Sequence, residues 1–189
     1  MYSMQERENL LKIFREVKVA VSAGDSAKIK NLSDQTTHTA SLTHDPDNIA
    51  AAVIIYSFSK IIEREDYRKL QGWNSFYESY VGAINKCIDA LEKNNDENFS
   101  KSLTLIRKAI GNLSGKLKEY IQDVFRKAEI NKASRIYEHG ISMEKTANLL
   151  GISLFELANY SGGKESAEVP ESVTVSVKQR IKFAMEMFE

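Results

Sequence analysis

A single cysteine, Cys87, stands in a chain of 189 residues. It can close no internal disulfide and build no cysteine-based zinc cluster, which leaves side-chain packing to hold the fold. Two prolines and nine glycines are few enough to make long helices the default. An excess of either charge is also missing: 26 Lys and Arg balance 26 Asp and Glu, a formal net charge of +0. No global field gathers nucleic acid, so any such site must be a local patch. No apolar run approaches the roughly 18 residues of a membrane span, and no membrane partner is expected. The opening MYSMQERENLLKIF is mixed in charge and amphipathic, unlike a secretory leader, so a cytoplasmic protein is expected. What is present, 42% hydrophobic and 28% charged residues, suits a packed core rather than disorder.

Apolar spacing predicts an all-α protein. Leu10, Phe14, Val17 and Val21 mark one face of a first helix over 3–21. Asp25 can cap a second helix over 26–43, which is rich in threonine and weakly apolar (Ile29, Leu32, Ala40, Leu42). Asp45-Pro46 is a strong start for a third helix, 46–64, apolar on most sides and suited to the middle of a core. A fourth helix over 66–93 carries a stripe of Leu70, Tyr77, Val81, Ile84, Ile88 and Leu91, with Trp73, Phe76 and Tyr80 beside it. After the turn Asn94-Asn95-Asp96, a seam of Leu103, Ile106, Ile110, Leu113, Leu117, Tyr120 and Val124 predicts a long helix paired with the fourth in a hairpin. Gly111 and Gly115 weaken that helix and invite a break. The seam serves either internal packing or a homodimer interface. The organisation expected is a helical bundle over 1–93, a long hairpin helix over 97–130, a helix-turn-helix unit over 126–162, and a linker and tail over 163–189. In the tail, Val173, Val175 and Val177 alternate as a short strand or extended connector, and Ile181, Ala184, Met185 and Phe188 share a helical face. This tail is expected to dock on its own domain or on a second subunit; the alternative is a segment that binds a partner.

The most informative segment runs from Ser142 to Ser161. Ser142 can cap a first short helix, Ala147 is small where two helices cross, and Gly151 suits a left-handed turn. Ile152 fits the angle between the helices, and Ser153 can cap the second. Leu149, Leu150, Ile152, Phe155 and Leu157 are candidates for a shared core. Ala128, Ala133 and Ile136 are candidates on a supporting helix. Ala147, Leu150, Gly151, Ile152, Ser153, Glu156 and Leu157 together resemble the small helix-turn-helix of prokaryotic, especially archaeal, antitoxin-like proteins. The resemblance covers about 132–162 and implies a module that binds double-stranded DNA or a partner toxin. The second helix departs from the usual DNA reader, because it carries no cation and includes Glu156. Over 111–145, seven cations face five anions, a small excess for holding phosphates. The candidate DNA- or partner-binding residues are Lys132, Arg135, Lys145, Ser153, Glu156, Asn159 and Tyr160.

Other constellations are weaker. Asp34 and His38, four residues apart, share a helical face, with His44, Asp45 and Asp47 following. A metal or acid–base site can be drawn there, but six residues part the two histidines, and Asp45 has work as a cap. His139 before Gly140 suits a helix end. Arg135 and His139 miss the spacing of the Arg-x(4–6)-His ribonucleases found in toxin–antitoxin systems. Cys87 reads as buried filler. With no nucleophile, base and orienting group in one pattern, neither enzyme activity nor a cofactor or metal is expected. The chain is expected to be a cytosolic DNA-binding regulator of antitoxin type, alone or as a homodimer. The alternative is a non-enzymatic helical scaffold for a protein or ribonucleoprotein.

Overall fold

The computed structural model describes residues 3–43, 45–138, 142–150, 153–155 and 157–159, and every regular element among them is helical. The order is α1 (Met4–Ala23), α2 (Ser26–Thr43), α3 (Pro46–Ile62), a 3-10 turn (Glu65–Lys69), α4 (Trp73–Glu92), α5 (Asp96–Gly111), α6 (Gly115–Glu138) and α7 (Met143–Leu150). The expected valine strand and C-terminal helix lie outside the described residues.

Local sequence explains the boundaries. Ser3 and Glu6 form a reciprocal capping box on α1, with Glu6 N–H donating to Ser3 Oγ (3.2 Å) and Ser3 N–H to Glu6 Oε2 (2.8 Å). The Glu6 carboxyl is lowered in pKa chiefly by its Ser3 hydrogen bonds. Asp25 caps α2 through Lys28 N–H at 2.9 Å. Asp45 Oδ1 accepts from Asp47 and Asn48 N–H at 2.9 and 3.0 Å, and Pro46 opens α3 where its missing N–H costs nothing.

α3 is the axis of the molecule. Twelve of its residues are buried, around most of its circumference. It packs against α2, α5, α6 and α7. The polar α2 fits beside it through small hydroxyl side chains. Ser33 Oγ donates to the Ala52 carbonyl at 2.7 Å, while buried Thr36 and Thr37 satisfy themselves on the carbonyls of Leu32 and Ser33. Threonine there is a buried packing residue, so weak apolarity did not mean weak contact. Cys87 is fully buried, and burial pushes its thiol up to about 12, as expected of inert filler.

Two expected helices are divided. The fourth stops short at its start: Leu70–Gly72 separate the 3-10 turn from α4, and Gly72 takes φ 91, a conformation other residues rarely adopt. The expected stripe holds in the second half of α4, where Ile84, Ile88 and Leu91 are buried, and shifts in the first half. Trp73, Phe76, Tyr80 and Cys87 are buried, whereas Tyr77 and Val81 are only half-buried. The expected long helix over 97–130 breaks at 112–114, and α6 restarts at Gly115 with φ 61. Beyond the break Leu117 and Val124 still lie on the inner face, as expected. Leu103, Ile106 and Ile110 keep the seam in α5, but in α6 Ile121 takes the inner position expected of Tyr120. Tyr120 lies 43% exposed and stacks on Tyr67, with ring centroids 5.3 Å apart. α4 and α5 do pack on each other. One continuous hydrophobic cluster runs from Leu10 to Leu157, joining the first helices to α6 and α7.

Candidate functional site

The buried face of α6 steps through Leu117, Ile121, Val124, Phe125, Ala128 and Ile136. Between the last two, at four-residue intervals, stands Lys132. Position 132 belongs to the inner stripe by helical geometry, and its side chain is 0% exposed. The ammonium is neutralised from α2, where Asp34 Oδ1 accepts from Lys132 Nζ at 2.9 Å. The same oxygen accepts from Arg135 Nη1 at 3.2 Å. Lys132 Nζ also lies 4.5 Å from the centre of the Tyr56 ring on α3, where the electron-rich face favours a cation. Three helices therefore meet on one buried charge.

This arrangement gives two of the nominated binding residues structural partners. Lys132 is enclosed. Arg135, half-exposed, is engaged by Asp34. The two cations thus serve to join α6 to α2. Asp34, considered with His38 as an acid–base pair, answers side chains about a hundred positions away. Tyr56 was missed altogether, and only its place on α3 reveals it. One clue was present in the sequence: a lysine at an inner-stripe position must find a counter-charge or be expelled.

Burial is the dominant influence on Lys132 and lowers its pKa to about 8; Asp34 acts the other way, while Arg135 and Lys30 lower it further. Below about pH 8 the ammonium is charged in both states and its burial costs stability. From there to the ordinary lysine value near 10.5, the folded chain releases its proton before the unfolded one does. The unfolded state then binds more protons, so stability contributed by this group rises with pH across that window. At about 1.4 kcal/mol per pKa unit, the full rise is about 3 kcal/mol. Urea unfolding of the wild type and Lys132→Met at pH values near both ends of the window isolates it. The stability difference should shift by that amount in favour of the wild type at high pH, and a difference independent of pH would contradict a buried ammonium.

Beyond α6, Ser142 opens α7, accepting from Lys145 N–H through Oγ at 3.2 Å and from Thr146 N–H through its carbonyl at 2.9 Å. α7 packs on α6 and α3. Helical residues resume after Ser153, whose carbonyl accepts from Leu157 N–H at 3.2 Å. Of the nominated packing residues, Ala128, Ala133, Ile136, Ala147 and Leu157 are buried. Phe155 is not: it is 74% exposed, and Leu154 beside it is 48% exposed. Leu157 holds the inner position, and Phe155 falls on the outer face of the same turn. Lys145, Ser153 and Asn159 are solvent-exposed. Glu156, Tyr160, Gly151 and Ile152, with the side chains of Leu149 and Leu150, lie outside the described residues, as do His44, His139 and Gly140.

Among the described residues no group of three or more His, Cys, Asp or Glu side chains could hold a metal ion, and no helix is long and apolar enough to cross a membrane. Comparisons with protein-family models, curated proteins and solved structures find no match, so the resemblance of 132–162 to a helix-turn-helix rests on its own residues.

Proposed function

We propose that the chain is a non-enzymatic helical docking protein whose helix-turn-helix unit grips a protein partner through Leu154 and Phe155. The supporting observation is the 74% exposure of Phe155, next to half-exposed Leu154, at the start of the second helix. A DNA reader presents hydrogen-bonding or cationic side chains there. An aromatic and a leucine in that place suit an apolar socket, and such anchors carry most of the affinity in protein interfaces. The engagement of Lys132 and Arg135 by Asp34 points the same way, since it removes two cations from phosphate binding. One hydrophobic cluster joins Ala147 and Leu157 of the unit to the bundle, which suits a scaffold.

The test is affinity isolation from native lysate with wild type and Phe155→Ser in parallel, followed by titration of the protein recovered. Phe155→Ser should weaken binding by about 30-fold or more, the equivalent of a 2 kcal/mol hot spot, with an unchanged helical spectrum. Equal binding by both proteins would remove the reading.

The exposure of Lys145, Ser153 and Asn159 on the same unit favours a second reading, a DNA-binding regulator of antitoxin type. Gel shifts with duplexes from its own locus should then weaken steeply with salt. Asn159→Ala should change sequence preference and leave stability intact. No binding even at low salt would dispose of it.

A further inference from the structure

The ends of α1 and α3 and the start of α4 enclose a cleft of about 400 Å3, away from the helix-turn-helix unit. That volume lies within the range of small-molecule sites. Its inner surface includes buried Val21 and Ile62. One wall is aromatic: Trp73 and Tyr77, successive on one face of α4, have ring centroids 6.0 Å apart at 31°. Among the described residues, the only charged one lining the cleft is Arg68. Its guanidinium is anchored by Nη2 donating to the Ile62 carbonyl at 3.3 Å, which spends one of five N–H donors. Asn74 adds an exposed amide.

We infer that this cleft binds an organic anion bearing a flat ring, the ring lying against Trp73 and Tyr77 and the anionic group on Arg68 and Asn74. The charge follows from the lining. Arg68 is cationic, and no carboxylate among the described residues lines the cleft. The backbone agrees at α4, whose first turn has neither a capping side chain nor an acidic residue, so its positive end is uncompensated. The ends of α1 and α3 act in the opposite sense, that of α3 being met in part by Arg68 on the Ile62 carbonyl. The end of α1 is treated likewise by its own backbone. It is partly closed, because Gly24 and Asp25 N–H donate to the carbonyls of Val21 and Ala20 at 3.1 and 2.9 Å. The shape follows from the aromatic wall, since flat rings stack on flat rings and exclude water between them. An aromatic carboxylate and a nucleoside monophosphate share this chemistry.

Trp73 is the sole tryptophan of the chain, so its indole N–H gives one assigned resonance from within the cleft. Full-length protein labelled with nitrogen-15 is titrated separately with AMP, benzoate, adenosine, inorganic phosphate and choline. AMP or benzoate should shift the Trp73 resonance saturably, and whichever binds tighter identifies the anionic group. Adenosine and inorganic phosphate, each carrying half of the chemistry, should bind at least tenfold more weakly than AMP if AMP is the ligand. Arg68→Gln, a substitution at an exposed position, should weaken the anion at least tenfold and leave the remaining resonances in place. Tyr77→Ala should weaken it through the ring. No shift with either anion up to about 10 mM, well beyond ordinary ligand affinities, overturns the inference. Undiminished binding to Arg68→Gln, or preferential binding of choline, does so too.

Discussion

Asp34→Ala should cost about 3–5 kcal/mol of folding stability, the range for stripping the partner from a buried ion. The substitution removes only a half-exposed carboxylate, so the loss would not come from the deleted atoms. It would come from Lys132, left charged at 0% exposure with the Tyr56 ring beside it and Arg135 repelling it. Arg135 is half-exposed and can turn to water; Lys132 is enclosed and can only shed its proton or open the packing of α6. Lys132→Met separates these causes. Methionine keeps the length and apolar stem without the charge, and replacing a buried ion by an apolar group is often neutral or stabilising. The double variant Asp34→Ala with Lys132→Met should therefore recover most of the loss. Urea unfolding followed by far-ultraviolet circular dichroism measures all three. A single Asp34→Ala variant within about 0.5 kcal/mol of wild type, as for an ordinary surface ion pair, would show that the ammonium finds water elsewhere.

This constellation also shows where sequence reading stops. Caps were legible because their chemistry is local: Asp25 and Asp45 each act within three residues. The apolarity of α3 was legible because a helix buried on most sides must be apolar on most sides. The break at 112–114 was visible only as a weakness, because glycine permits an interruption without requiring one. Beyond it Leu117 and Val124 keep their expected inner places, and packing against other helices turns Ile121 rather than Tyr120 inward. The pairing of Asp34 with Lys132 is a contact between α2 and α6, and no spacing rule within one helix reaches it. The cation excess over 111–145 was counted correctly as composition, but two of those cations are turned to structural use. Likewise, one helical turn offered both Phe155 and Leu157 as core candidates, and only the packing of that turn on the rest of the molecule decides that Leu157 is inside.

Phe58→Ala is expected to cost about 3–5 kcal/mol, the range for truncating a fully buried aromatic ring. Phe58 is 0% exposed on α3 and stacks on Tyr80 of α4, with ring centroids 3.8 Å apart at 8°. It also meets Tyr77 at 6.1 Å. Removing the ring leaves a void in the middle of the bundle, and two features oppose its collapse. Tyr80 is held by its hydroxyl, which donates to the Ile54 carbonyl at 2.6 Å. α3 is itself packed on several sides and has little room to shift. Tyr80 would lose its stacking partner while its hydroxyl stays tied, so a cavity term should add to the transfer term. Phe58→Leu keeps most of the volume and should lose markedly less, since shape-tolerant replacement costs less than truncation. Because α3 also supports α6 and α7, the truncation should loosen those two helices along with the bundle. Hydrogen exchange under native conditions resolves this: amides of α6 and α7 should exchange faster in Phe58→Ala together with those of α3 and α4. Faster exchange confined to α3 and α4 would mean that α6 and α7 fold on their own account, and that the cluster reaching from Leu10 to Leu157 is two cooperative bodies in contact.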